Sequence, residues 1–248
     1  MDTNSLIGFG AIFLALALGG IMKGATGAGA PVIAIPVTAA FYDVETAVVV
    51  MMAPNLLTNL FQIWRFRAHN LTGPFTWRFA IAGAIGALIG TVLLAVVHGD
   101  ALMLVMAASV IGYVVLRLLR PGFRLPLATA NRFAAPVALT GGVLQGATGV
   151  SAPIAVTYLN AMALDRMAFI PTVSAFFAAM AFVQIPMQGA LGIMTWTGAA
   201  VSLTALIPLV LFMPVGNWLG KRMSRTTFDR AILVLLVGLA AKLIFDAL

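Results

Sequence analysis

The sequence predicts an all-α integral membrane protein made of two inverted repeats of about five hydrophobic segments each, with a broken or re-entrant helix pair at the start of each repeat. Three observations predict it. Of 248 residues, 62% are apolar and 8% charged, too few charges to cover a water-soluble surface. Apolar runs near the roughly 20 residues that cross a hydrocarbon core recur from end to end, with no polar domain between them. The stretch GATGAGAP at Gly24 to Pro31 returns as GATGVSAP at Gly146 to Pro153. Thr26 then matches Thr148 and Gln62 matches Gln184 at one spacing, while Gly112 matches Gly238 at a spacing four residues longer, as in a duplication with a short insertion.

The first segment, 5–23, has no basic residue ahead of it, so it is expected to be a retained span and not a cleaved leader. The second, 30–42, is short for a span, which favours a partial hairpin or broken helix. The third, 45–66, is expected to kink at Pro54 and places Asn55, Asn59 and Gln62 on one helical face, with Thr58 adjacent. In the fourth, 75–97, Ala82, Gly86 and Gly90 form a small-residue packing ridge, and the fifth covers 101–119. Residues 121–131 form a basic linker between an N-terminal repeat (1–120) and a C-terminal repeat (132–248). The second repeat reads as 132–146, 152–163, 167–188, 194–219 and 228–247, with Gln184 and Gln188 making a weaker polar stripe around Pro186. Trp64, Trp77, Trp196 and Trp218 fall near span ends, as interfacial aromatic belts do.

Basic residues set the orientation. Arg65, Arg67 and Arg78 mark one loop as cytoplasmic, Arg117, Arg120, Arg124 and Arg132 the linker, Arg166 a third, and Lys221, Arg222, Arg225 and Arg230 the last. The loops around Asp43 and Glu45, His98 and Asp100, and Gln188 and Gly189 carry no Lys or Arg and are read as exterior. An odd number of segments per half then inverts the second copy and puts both termini outside, an architecture common among secondary transporters.

Irregular backbone at membrane depth survives only where protein or a wet cavity covers it, so a repeated break implies such a cavity. Gly24, Gly27 and Gly29, and their counterparts Gly146 and Gly149, permit sharp turns and close approach. Pro31 and Pro153 suit the first turn of a following helix, whose N-terminus attracts anions. Thr26, Thr148 and Ser151 add hydroxyls, and Lys23 adds a charge whose repeat partner is Gln145. The alternatives at these positions are plain helix packing for the glycines, bonds to their own helix for the threonines, and snorkelling to the cytoplasmic interface for Lys23. For the stripe of Asn55, Asn59, Gln62 and Gln184, a substrate path and interhelical glue are both open.

Enzyme chemistry is not expected. His69 and His98 fall in loops on opposite faces, so neither can serve Ser151 as a base, and the spans contain no paired carboxylates or metal-ligand clusters. GATGAGAP lacks the lysine and hydroxyl of a nucleotide loop. The fourteen Lys and Arg against seven Asp and Glu are dispersed in short loops, which reads as orientation and not as nucleic-acid binding. Without cysteine there is no disulfide or thiol relay, and no cofactor is expected.

The duplicated stretches GIMKGATGAGAPVIAIP and GVLQGATGVSAPIAV, with total length and hydropathy, make the chain resemble the sulfite exporter TauE/SafE family of small membrane carriers. The resemblance implies movement of sulfite, sulfonates such as sulfoacetate, or other small organic anions across the bacterial inner membrane, with the glycine loops Gly24 to Pro31 and Gly146 to Pro153 flanking the substrate. Where that family's loops hold more glycine, this chain has Ala28, Val150 and Ser151. The expectation is therefore a secondary transporter that exports a small oxyanion by alternating access, with the small anion and the lipid bilayer as partners and a homo-oligomer left open. An anion channel of the same architecture and a non-transporting assembly subunit are the alternatives.

Overall fold

The computed structural model describes residues 3–71, 73–119 and 124–222, and they are helical throughout with no strand among them. Ten α-helices follow in order: α1 Thr3–Thr26, α2 Ala30–Phe41, α3 Val44–Val50, α4 Met52–Arg65, α5 Phe75–Val96, α6 Gly99–Leu119, α7 Leu127–Thr148, α8 Ala155–Ala161, α9 Arg166–Ala190 and α10 Trp196–Arg222. Five stretches are long and apolar enough to cross a membrane: Gly8–Thr26, Val44–Arg65, Phe75–Val96, Arg166–Ala190 and Trp196–Gly220. Outward-facing side chains such as Phe9, Ile85, Leu211 and Trp196 leave an apolar exterior. This is a multi-pass membrane protein. The segment expected at 228–247, the chain termini, Arg120, Arg225 and Arg230 lie outside the described residues.

Several boundaries differ from the sequence expectation. Helix α1 does not stop before the glycine stretch but runs through Lys23, Gly24 and Thr26, because a single glycine inside a helix costs only about 1 kcal/mol. It ends where Gly27 enters the left-handed region (φ 85°), its amide donating to Lys23 O at 2.7 Å. The second copy ends the same way, with Gly149 at φ 74° and its amide on Gln145 O at 2.7 Å. After the first break α2 starts at once, with Pro31 in its first turn. After the second, three turn residues intervene and α8 is only seven residues long. Helix α7 starts at Leu127, earlier than the expected 132.

The third segment breaks at Met51 and does not kink at Pro54. The reason is local. Pro54 sits in the first turn of α4, where its missing amide is tolerated, but that absence leaves Val50 O without its helical donor. The Ser202 hydroxyl on α10 takes the place, donating to Val50 O at 3.1 Å and accepting from the Ala53 amide at 2.9 Å. Two acidic caps start the flanking helices: Asp43 accepts from the Thr46 amide at 2.6 Å and Asp165 from the Ala168 amide at 2.8 Å.

Packing centres on two intimate helix pairs, α1 with α10 and α5 with α7, while α9 lies against α4 and α5. Glycine makes each pair possible. A Cβ on Gly24 would collide with Met213 O, and one on Gly146 with Ala87 O; Gly216 stands likewise against Ile21 O, and Gly90 against Val143 O. The expected ridge on the fourth segment packs as read at Gly86 and Gly90, but its third member is Gly83, against Phe176, because Ala82 is only partly buried. Phe79 joins the layers, stacking on Phe75 at 5.6 Å and Tyr158 at 5.8 Å, with Phe176 at 4.7 Å.

Replacing Gly90 with Ala pushes a methyl into the α7 backbone and is expected to destabilise by about 1–3 kcal/mol, as overpacking does. Gly112→Ala, which meets nothing within 4 Å, should be neutral or raise stability by up to about 1 kcal/mol. Thermal unfolding of the two purified variants in one detergent checks the contrast.

Candidate functional site

Lys23 occupies the last turn of α1 and is 2% exposed, so it does not snorkel. Its Nζ donates to Asn59 Oδ1 on α4 at 2.7 Å. The Asn59 side-chain amide in turn donates to Asn55 O at 2.6 Å and Asn55 Oδ1 at 2.8 Å, which turns its oxygen toward the lysine. No carboxylate pairs with Lys23 among the described residues. What offsets the charge is one amide oxygen and the negative end of the α1 dipole, both weaker than a counter-ion. Nearby Asn55 Nδ2 is buried with no partner among the described residues.

The repeat counterpart is neutral. Gln145, in the last turn of α7, is fully buried, accepts from the Ser151 hydroxyl at 3.0 Å through Oε1, and leaves Nε2 unpartnered. Gln62 accepts from the Ser174 hydroxyl of α9 at 2.9 Å, so the polar faces of α4 and α9 meet. Gln184, its repeat mate, is fully buried with neither side-chain atom partnered among the described residues.

The threonines and the helix N-termini take other roles than expected. Thr26 Oγ1 donates to Met22 O at 2.9 Å and Ala28 O at 2.8 Å and accepts from the Ala28 amide; Thr148 Oγ1 donates to Leu144 O at 2.8 Å. Both close the turn where their helix ends, which uses the donors a ligand would need. In the first turn of α2 the Val32 amide goes to Gly29 O and Pro31 has none; the seven-residue α8 offers no developed dipole. Gly27 packs on Ile170, whereas Gly149 packs on Ile35 and Val48, and Ile35 lies on the order of 10 Å along α2 from Gly29. Gly24 and Gly146 serve the helix contacts described above, and Gly29 packs on Met22.

Two features frame this polar interior. A cavity of about 570 Å³ opens among Asp43, Glu45, Thr46, Thr195 and Thr197, with Val49 and Val50 also in its wall; its loops are those without Lys or Arg. On the side marked by arginines, Arg166 donates to Gly24 O at 3.2 Å and Asn217 Oδ1 at 3.1 Å, tying the start of α9 to α1 and α10. Sequence reasoning counted Arg166 only as a topology marker and missed Ser174 and Ser202 altogether, since an isolated serine in an apolar run carries no pattern. Of the residues weighed for catalysis, Ser151 bonds the Gln145 side chain and His69 and His98 are exposed; no metal-ligand cluster occurs among the described residues.

A buried lysine with no carboxylate paired to it among the described residues, a set of buried amides and a vestibule fit the match found to a known family, the model of Sulfite exporter TauE/SafE, over residues 12–243. The chain belongs to the sulfite exporter TauE/SafE family. No curated protein and no solved structure matches it. TauE/SafE membership makes this a transporter-type membrane protein and implies a small anionic substrate; the members of the family are transporters.

Asn59→Leu leaves the Lys23 ammonium buried without its acceptor and should destabilise by roughly 1.5–3 kcal/mol, the worth of a hydrogen bond to a charged group. Adding Lys23→Met should recover most of that loss. A double-mutant cycle by thermal unfolding reads the coupling.

Proposed function

We propose that this chain is a secondary transporter that exports a small oxyanion, sulfite or an organosulfonate such as sulfoacetate, across the bacterial inner membrane by alternating access. The observation that carries the reading is Lys23: buried, with no carboxylate paired to it among the described residues, and held by Asn59. A charge at this depth costs at least about 2.5 kcal/mol on insertion scales, so its retention points to a mobile counter-ion. Lys23 supplies the charge; the amide nitrogens of Asn55, Gln145 and Gln184 supply neutral donors, while Asn59 and Ser151 position Lys23 and Gln145, and Gln62 ties α4 to α9. Gly24, Gly27, Gly29, Gly146 and Gly149 let backbones approach, and Thr26 and Thr148 hold the breaks closed.

The two halves, 1–120 and 132–248, are joined by the linker 121–131 and arranged as inverted repeats with both termini outside. Recurring contacts support this. Gly24 on Met213 corresponds to Gly146 on Ala87, and Gly216 on Ile21 to Gly90 on Val143, once the four-residue longer spacing of the later segments is applied. Gly27 on Ile170 and Gly149 on Val48 exchange in the same way. Each half lends one helix to each intimate pair, α1 with α10 and α5 with α7, so rocking one pair against the other exposes the Lys23 level to either face.

Energetics favour exit. Interior-negative potential drives an anion out by about 2.3 kcal/mol per charge per 100 mV, so export requires no coupled ion. Asp43, Glu45 and Asp165 stand at helix starts and not inside spans, which leaves no carboxylate relay among them.

In proteoliposomes loaded with sulfite, efflux should saturate, show counterflow, and quicken when the interior is made negative. Lys23→Met should lower it at least about tenfold, the factor that 1.4 kcal/mol represents. Non-saturating current would replace the carrier with a channel. Efflux indifferent to potential but abolished with the pH gradient would overturn the energetics.

A further inference from the structure

Gln184 and Gln188 lie one helical turn apart on α9, both fully buried, and neither side-chain oxygen nor nitrogen has a partner among the described residues. Four orphaned amide atoms in the last two turns of a packed helix are a heavy load for a purely structural device, because each unsatisfied group costs about 1–3 kcal/mol. The two residues continue a stripe through Ser174 and Ala181 at helical spacing, and Ser174 bonds Gln62, so the stripe faces α4. At about 1.5 Å rise per residue, Gln188 stands roughly 20 Å beyond Ser174, toward the arginine-free end.

Packing there leads to the vestibule. The backbone oxygen of Gln188 accepts from the Ile193 amide at 2.9 Å, and Ile193 lines the 570 Å³ cavity together with Val49 and Val50. Val50 precedes the break at Met51, which the Ser202 hydroxyl bridges. At the repeat-related position, Met52 stands where Ser174 faces Gln62, so α4 offers Gln184 a thioether where a hydroxyl would be needed.

We infer that Gln184 and Gln188 form a second anion subsite, on the exit half of the route, between the Lys23 level and the vestibule. The inference rests on the reading of the chain as an anion carrier. Their Nε2 groups donate to the oxyanion oxygens, and their Oε1 groups accept from water that travels with it. Being neutral, the pair binds more weakly than Lys23, which lets the anion pass outward and not stall.

The absence of native cysteine makes the test direct. Single Gln184→Cys and Gln188→Cys variants in proteoliposomes are exposed to a charged, membrane-impermeant maleimide, with Thr197→Cys in the vestibule wall and the fully buried Val173→Cys as references. Both glutamine positions should label as Thr197→Cys does, with sulfoacetate slowing the reaction, while Val173→Cys stays unlabelled. In parallel, Gln184→Met and Gln188→Met should each lower sulfoacetate efflux about tenfold while leaving Tm unchanged or higher, because an apolar side chain removes orphaned groups. No labelling at 184 and 188 while Thr197→Cys reacts, or methionine variants with wild-type efflux, would overturn the subsite even where Lys23→Met abolishes transport. Labelled, substrate-insensitive cysteines in a protein that moves no anion would instead sink the carrier reading and keep only a wetted channel of amides.

Discussion

Within a bilayer no solvent is at hand to complete a broken helix, so each interruption must be closed by the chain itself. That constraint organises the molecule. Thr26 and Thr148 close the ends of α1 and α7, Asp43 and Asp165 cap the starts of α3 and α9, and Ser202 reaches from α10 to mend the gap that Pro54 creates. Each repair uses a short polar side chain, and each fixes where the next helix can go. The polar interior is what remains uncommitted after these repairs: Lys23, the carboxamides and their few serine partners.

Glycine works at a second level. Hydrophobic burial gives little drive for association between helices in lipid, so close contact of backbones has to supply it. The pairs α1 with α10 and α5 with α7 meet through glycines that admit no Cβ. Because those same helices carry the breaks, the packing that holds the scaffold together also holds the open turns in place. Rigid pairs beside mended joints are the mechanical ingredients of a carrier whose parts rock as units.

Much of this was legible in the sequence and some was not. The repeat register came from Gly24, Thr26 and Pro31 recurring as Gly146, Thr148 and Pro153, because glycine and proline at turns leave a strong local mark. The face shared by Asn55, Asn59 and Gln62 followed from helical period alone. What escaped was tertiary. Nothing local says that α1 tolerates Gly24 and continues to Thr26, that Pro54 moves the break upstream to Met51, or that Thr26 spends its hydroxyl on its own turn. Ser174 and Ser202 each act on a residue more than a hundred positions away, a partnership that pattern reading along one chain has no means to see.

The mismatch between Lys23 and Gln145 bears on how such a protein can arise. Duplicating a half that already held a buried lysine would have put two like charges into one small apolar unit, doubling an insertion cost of at least about 2.5 kcal/mol and adding mutual repulsion. A glutamine in the second copy avoids that cost. Gln145 keeps the reach and donor capacity of its counterpart while giving up the proton. The two copies of the glycine stretch therefore share a helix-ending turn without sharing a chemistry.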